Sequence, residues 1–388
     1  MKKKLLFIDL TYLSRANREK YESYLPCFNK EFEVYCITTR EAFNRYQLAS
    51  PSIKSILQLP DVRGSIKPLM AYSIYFCRLL KVIKNFQKLH KSCGHIDIIY
   101  SATSIFVDIF AQAFLSRIFR SSVNVSIFDN FEEINWKLWK KLFRVPQYLS
   151  AKLSYLARPG PHITFCYLPP DAFNIFEDRD LKKKSTSIRF NNTVNFKEVR
   201  KYRPLLDASA RDIDFLFIGR LHFDKGVDRF LEGLREIMQK GLTPKAVICG
   251  SGSDTKLMKE INLFCHENSS VNYLGYVNNK YEILSRSKVV VVPSRRDSFP
   301  TTVMEAAVMG CSVVTTNLAF ANEPPFINLN LNIADEKNSL SDTMLRVLEK
   351  IDCQRKADNY FDNFLPTYEK NYLEEVAILR AFLSKDVG

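Results

Sequence analysis

The clearest pattern along the chain is an alternation of short, unbroken apolar runs with longer stretches of three- and four-residue apolar periodicity. Ile213–Ile218, Ala246–Cys249, Val271–Leu274, Val289–Val292 and Ser312–Thr315 are continuous Val/Ile/Leu/Phe-type runs bounded by Gly, Pro or polar residues. They predict strands buried on both faces. Between them, Val227, Phe230, Leu231, Leu234, Ile237 and Met238 fall on one helical face. The predicted helix runs from Asp224, as its N-cap, to Gln239, and Gly241 stops it. Further helices are predicted to about Glu267, over Lys280–Ser285, and from about Thr302 to Met309, where Gly310 ends the last. Strand and helix alternate five times, which predicts a parallel sheet with helices on both faces. Ligands of such sheets bind at the turns beyond the strands' carboxyl ends.

The first half carries the same rhythm more weakly. Leu5–Ile8, Phe32–Ile37, Ile96–Tyr100 and Val123–Phe128 read as strands, and 69–91 and 102–119 as helical. The polar stretch 178–210, with Lys182-Lys183-Lys184, reads as a linker. Residues 365–384 read as a closing helix. The expected division is 1–200, 201–365 and a C-terminal helix in 366–388 that packs back on the first domain.

Two turns hold candidate chemistry. Gly219-Arg220-Leu221-His222-Phe223-Asp224-Lys225-Gly226 follows a strand and opens a helix. Free N–H groups at a helix start suit a phosphate, and Arg220 and Lys225 add two charges able to hold a diphosphate as it leaves. The alternative is a solvated basic loop. Pro293 through Glu305 also links strand to helix and carries Asp297 and Glu305, whose carboxylates suit sugar hydroxyls. The N–H groups near Thr301 and Thr302 suit a phosphate or hydroxyl. Against this, Thr302-x-x-Glu305 also fits a helix capping box. Gly250-Ser251-Gly252 is either a tight turn or a close backbone approach to a ligand. Asp212-x-Asp214 precedes its strand and reads as surface charge.

These segments together resemble the retaining GT-B glycosyltransferases of family four: Phe217-x-Gly219-Arg220-Leu221-x-x-x-Lys225-Gly226, Cys249-Gly250-Ser251-Gly252, and Pro293-Ser294 through Glu305-Ala306 to Gly310. The resemblance covers about 210–320. It implies an α/β chain of two Rossmann-like, doubly wound domains facing a central cleft, with the C-terminal one holding a nucleotide-diphosphate sugar. Arg220 and Lys225 would contact the diphosphate as the catalytic pair. Glu305 would take the ribose, and Asp297 with Ser298, Phe299, Pro300, Thr301 and Thr302 the sugar and phosphate. Gly219 and Gly252 would line the donor site. The implied reaction retains anomeric configuration, and the departing diphosphate itself takes the acceptor proton. It calls for no metal and no cofactor. Three positions depart from the pattern: Asp297 stands where Glu is usual, Pro300 where glycine is common, and Phe128 about where the N-terminal domain carries a histidine.

Charge adds a partner. The chain has a net charge of +14, and the excess lies in residues 1–200, with 32 basic and 17 acidic side chains. Both tryptophans lie in one amphipathic stretch. Trp136, Trp139 and Phe143 form one face, and Lys137, Lys140, Lys141 and Arg144 another. This predicts docking on an anionic membrane surface, with a second basic stripe at Arg78, Lys81 and Lys88. Nucleic-acid binding is disfavoured because no helix-turn-helix, zinc or RNP pattern is present. The apolar run at residues 5–8 ends at Asp9, too short for a secretory h-region of ~7–15 residues. Nine cysteines without a C-x-x-C read as reduced core thiols of a cytosolic chain. The expected protein is thus a cytoplasmic hexosyltransferase, peripheral on the inner face of the membrane. It would serve a glycan or lipid-linked acceptor in cell-surface polysaccharide or lipopolysaccharide synthesis. The alternatives are a catalytically silent GT-B partner subunit of a membrane-associated complex and a nucleotide-sugar epimerase.

Overall fold

The computed structural model describes residues 2–10, 21, 25–26, 28–61, 68–103, 106–120, 123–128, 162–166, 185–189, 194, 196–202, 211–252, 254–297, 299–322, 325–351, 373–381 and 383. The chain forms two compact units. One comprises Met1–Asn191 with Asn371–Gly388, the other Asn192–Lys370.

The first unit holds a seven-stranded sheet: β1 (Lys4–Ile8), β2 (Glu33–Thr39), β3 (Lys54–Leu59), β4 (Ile98–Ser101), β5 (Val123–Phe128), β6 (His162–Cys166) and β7 (Ser185–Arg189). Their order is β3-β2-β1-β4-β5-β6-β7, and every pairing is parallel. The helical stretch expected near 69–91 is two helices, Pro68–Lys84 and Phe86–Cys93, parted at Asn85. Residues 373–381 are helical and belong to this unit. There Glu375, buried, accepts a 3.0 Å hydrogen bond from the Tyr100 hydroxyl.

The second unit holds β8 (Ile213–Ile218), β9 (Ala246–Cys249), β10 (Val271–Tyr273), β11 (Ser287–Val292), β12 (Ser312–Thr316) and β13 (Asn332–Ala334). Their order is β10-β9-β8-β11-β12-β13, again all parallel. This is the doubly wound Rossmann order, with its reversal between β8 and β11. The core joins Phe215, Phe217, Val289 and Val291 to Phe230, Leu234, Ile237 and Met344 from the helices. At the amino edge of the sheet, Arg211 is buried. Its guanidinium donates to the carbonyls of Leu284, Ser287 and Met309. A cation on carbonyls at the ends of two helices, Lys280–Ser285 and Thr301–Val308, opposes their negative dipole ends. Arg211 therefore fastens both helices at once.

Candidate functional site

The turns beyond the carboxyl ends of the second sheet are laced together by hydrogen bonds. Gly250 N donates to Gly275 O (2.7 Å), Leu221 N to Ser251 O (2.9 Å) and Arg295 N to Asp224 O (2.8 Å). Thr316 Oγ1 donates to Ser294 O (2.5 Å). Neighbouring turns thus brace one another from β10 across to β12.

Glycines make that closeness possible. Gly226 has φ +72°, and a Cβ there would collide with the Pro293 carbonyl. Gly250 has φ +147° and presses on the Gly219 carbonyl; a Cβ on Gly252 would strike that of Leu221. The Gly250-Ser251-Gly252 turn is therefore a close backbone approach between two turns.

The turn after β8 differs from expectation in one respect. Asp224 does not cap the long helix. Residues Phe223–Lys225 form one turn of 3-10 helix capped by His222, and Gly226, in the left-handed region, precedes the helix Val227–Gln239. The Pro293 carbonyl fills the space beside Gly226 at this junction. Asp224 instead offers its carbonyl to the backbone of Arg295 and Arg296.

The turns after β8 and β11 are also joined by side chains. Arg295 grips Asp228 with two bonds of 2.7 and 2.6 Å, donates to Phe223 O at 2.8 Å, and lies 3.7 Å above the Phe223 ring. Burial pushes the Asp228 carboxyl up, but the Arg295 fork outweighs it and holds the group below the ordinary carboxylate range. Lys225 Nζ meets Asp297 Oδ2 at 2.5 Å, both partly buried. Arg220 is exposed at the mouth of the same turn.

Glu305 is buried in the helix Thr301–Val308. Pro300 is the N-cap and makes no side-chain cap bond, so Glu305 is the fifth helical residue and the capping box is not formed. Its Oε1 lies 2.6 Å from Lys280 Nζ. Thr301 and Thr302, half-buried, open the helix where N–H groups lack intrahelical partners. The Phe299 ring is buried against Phe326 at 4.7 Å. Gly219 ends β8, and Gly252 is exposed beside Leu221. Ser298 lies outside the described residues.

The structure thus brings Arg220, Lys225, Asp297, Thr301, Thr302 and Glu305 to one edge of one sheet. Sequence reasoning missed Lys280 and the Arg295–Asp228 clasp. Arg295 stood in view inside the Pro293 turn, but nothing in the sequence marks Lys280. At the opposite edge, Asp212 and Asp214 pair with Arg286 (2.5 Å) and Lys288 (2.6 Å).

In the first unit, the predicted helix containing Trp136, Lys137, Trp139, Lys140, Lys141, Phe143 and Arg144 lies outside the described residues. The second basic stripe is corrected. Arg78 is buried and donates to Leu10 O (2.9 Å) and Pro60 O (2.8 Å), and burial lowers its pKa. Lys81, Lys84 and, on the next helix, Lys88 are exposed, as are Met70, Phe76 and Leu80; the Lys81 ammonium donates to Gln58 O at 3.0 Å. Among the described residues, no helix is long and apolar enough to cross a membrane.

Comparison with known proteins bears on the second unit first. Residues 199–359 match the family model described as glycosyl transferases group 1. The capsular polysaccharide biosynthesis glycosyltransferase CapM of Staphylococcus aureus is 27% identical over 128 residues, 33% of each chain. The 2-deoxystreptamine N-acetyl-D-glucosaminyltransferase of Niallia circulans is 25% identical over 104 residues, 26% of this chain and 27% of that one. The chain thus spans 33% and 27% of the length of these curated relatives. Solved structures match throughout. Anabaena HepE in complex with UDP and glucose gives a TM-score of 0.62 at 15% identity over 99% of both chains. Sucrose-phosphate synthase from Thermosynechococcus elongatus gives 0.65 at 14%, over 99% and 100%. WaaG, a glycosyltransferase involved in lipopolysaccharide biosynthesis, gives 0.59 at 13%, over 92% and 94%. With two parallel Rossmann-like sheets, the fold is that of the GT-B proteins.

Proposed function

We propose that the chain is a GT-B glycosyltransferase that moves a hexose from a nucleotide-diphosphate sugar to a glycan or lipid-linked acceptor, with retention of configuration. One observation carries the reading: Arg220, Lys225, Asp297, Thr301, Thr302 and Glu305 share the carboxyl edge of a Rossmann sheet, on turns that straddle its reversal between β8 and β11. The match of 199–359 to the group 1 model covers the same turns. HepE, similar in fold, binds UDP and glucose.

In this mechanism Arg220 and Lys225, with N–H groups at the helix starts, take up the charge that grows on the departing diphosphate. The Asp297 carboxylate now occupies Lys225 at 2.5 Å. A bound diphosphate shares that ammonium, leaving Asp297 an oxygen for sugar hydroxyls. Glu305 receives the ribose. The leaving diphosphate takes the acceptor's proton on the face it vacates, so the protein supplies positioning and charge rather than a nucleophile. Metal independence follows if these cations carry the whole charge. The acceptor belongs to cell-surface polysaccharide or lipopolysaccharide synthesis, a setting supported by the likeness to CapM. The protein would act in the cytoplasm, docked on the inner face of the membrane by the basic first unit. A second reading, a catalytically silent subunit, draws on Phe128 ending β5 where the family pattern has histidine.

The test is donor turnover with UDP-, GDP- and ADP-hexoses, with and without EDTA, followed by NMR of the product anomer. Arg220→Ala and Lys225→Ala each lower turnover roughly a hundredfold or more, as expected for loss of one charge-stabilising donor. Nucleotide binding without transfer to any acceptor supports the silent subunit. Unchanged turnover in both variants removes the diphosphate assignment.

A further inference from the structure

Each carboxylate assigned to the donor is met by a lysine from a different turn. Lys225 faces Asp297, and Lys280 faces Glu305. The second pair is the more enclosed, with side chains 24% and 7% exposed. Lys280 begins the helix Lys280–Ser285 that follows β10, and Glu305 sits in the helix that follows β11. The two strands are not neighbours, since β9 and β8 lie between them. The contact therefore joins elements that follow strands three places apart in the sheet.

Three features hold Lys280 in place. Asn279 bonds the Tyr202 hydroxyl from the helix Phe196–Tyr202. The Lys280 ammonium lies 5.4 Å from the centre of the Tyr281 ring. Arg211 fastens the far ends of both helices through Leu284 O and Met309 O. A lysine with a long flexible stem is thereby delivered to one carboxylate oxygen at 2.6 Å.

We propose that Lys280 is a positioning residue for nucleotide recognition. It keeps the Glu305 carboxylate charged and turned so that it accepts hydrogen bonds from the ribose hydroxyls. This rests on the reading of Glu305 as the ribose-binding carboxylate. A carboxylate has about four acceptor positions, more than one ammonium fills. A buried carboxylate stripped of its cation is strongly disfavoured and reorganises or neutralises. Removing Lys280 therefore degrades Glu305 as an acceptor without touching the nucleotide's base or phosphates.

The experiment is calorimetric binding of UDP, GDP and ADP, each beside its 2′,3′-dideoxy analogue, to wild type, Lys280→Gln, Lys280→Arg, Glu305→Gln and the double variant Lys280→Gln/Glu305→Gln. Wild type prefers the ribonucleotide. Lys280→Gln weakens ribonucleotide binding roughly ten- to hundredfold, the range for losing hydrogen bonds to a charged group. Its affinity for the dideoxy analogue changes little, so the preference collapses. Lys280→Arg keeps most of the preference. The double variant, which removes both charges of the pair and so folds even if Lys280→Gln does not, matches Glu305→Gln. An undiminished preference in Lys280→Gln, or equal losses on both nucleotides, overturns the role of Lys280 and leaves the donor reading standing. If wild type binds none of the three diphosphates, both fall together. A wild type that binds ribo and dideoxy forms alike overturns the ribose role of Glu305, and that of Lys280 with it.

Discussion

Gly226 shows how much one residue carries. Its φ of +72° is a conformation that L side chains resist, and the space beside it is filled by the Pro293 carbonyl. Gly226→Ala therefore costs strain twice over, about 2 kcal/mol or more, visible as a lower urea midpoint. An unchanged midpoint would show that the two turns can separate freely. Lys225 and Gly226 stood out in the sequence as part of the turn after β8, but the left-handed Gly226 did not, because part of its requirement comes from the distant Pro293 carbonyl. Lys280 was not readable, because its meaning depends on a partner 25 residues away on a different helix. Cysteines test burial at the same scale. Burial pushes the Cys249 thiol up to about 12 and Cys93 to about 11, and Cys36 is raised as well, whereas Cys77 is exposed. The reactive species is the thiolate. Iodoacetamide at pH 8 thus labels Cys77 before Cys93 in the native protein, while Cys36 and Cys249 react only after unfolding. Peptide mass spectrometry would read the order, and early labelling of Cys249 would contradict the buried β9.

At the level of elements, the site depends on two turns held shoulder to shoulder, and the Arg295–Asp228 clasp supplies a pH signature. Asp228 has a lowered pKa in the folded chain. Its contribution is therefore fully present above the unfolded carboxylate value of about 4 and is lost as pH falls through the lower folded value. Asp228→Asn lowers the melting temperature at pH 7, and the gap to wild type narrows steadily below about pH 4. A gap that widens in acid would reverse the assigned sign. In the second unit β8, β9, β11 and β12 were legible because each is an apolar run largely buried on both faces. What escaped was weaker in kind. The helix Arg40–Ala49 buries only Ala42, Phe43 and Tyr46, and β3 buries only Leu59 fully. β13 is three residues long. None offers enough apolar period to stand above a loop. Asp224 misled because a good N-cap residue also sits well in a 3-10 turn, which here is held by the His222 cap and by the bonds from Arg295 and Arg296 to the Asp224 carbonyl.

For the molecule as a whole, charge and apolar exposure converge on the first unit. Its sequence carries nearly all of the excess positive charge. On the helix Pro68–Lys84, Phe76, Leu80 and Lys84 follow at four-residue steps, with Lys81 beside them, and Phe76 and Leu80 are 52% and 38% exposed. Two large apolar side chains held in water with Lys81 and Lys84 on the same helix, and Lys88 exposed on the next, match a bilayer interface, where rings and aliphatic chains leave water and ammonium groups meet anionic headgroups. Arg78, first grouped with those lysines, is spent inside, so the face is narrower and more apolar than the sequence stripe implied. Each lysine near an anionic surface contributes about 1 kcal/mol. Lys81→Glu/Lys84→Glu/Lys88→Glu therefore reduces binding to vesicles of 30% phosphatidylglycerol at least a hundredfold; because Lys81 also donates to Gln58 O at 3.0 Å, circular dichroism checks that the variant is folded. Phe76→Ser/Leu80→Ser weakens it through lost apolar burial and leaves the salt dependence intact. Flotation of wild type that is equal on neutral and anionic vesicles, or that survives the triple reversal, would leave this face without a lipid role and shift the weight to the tryptophan-bearing stretch 136–144.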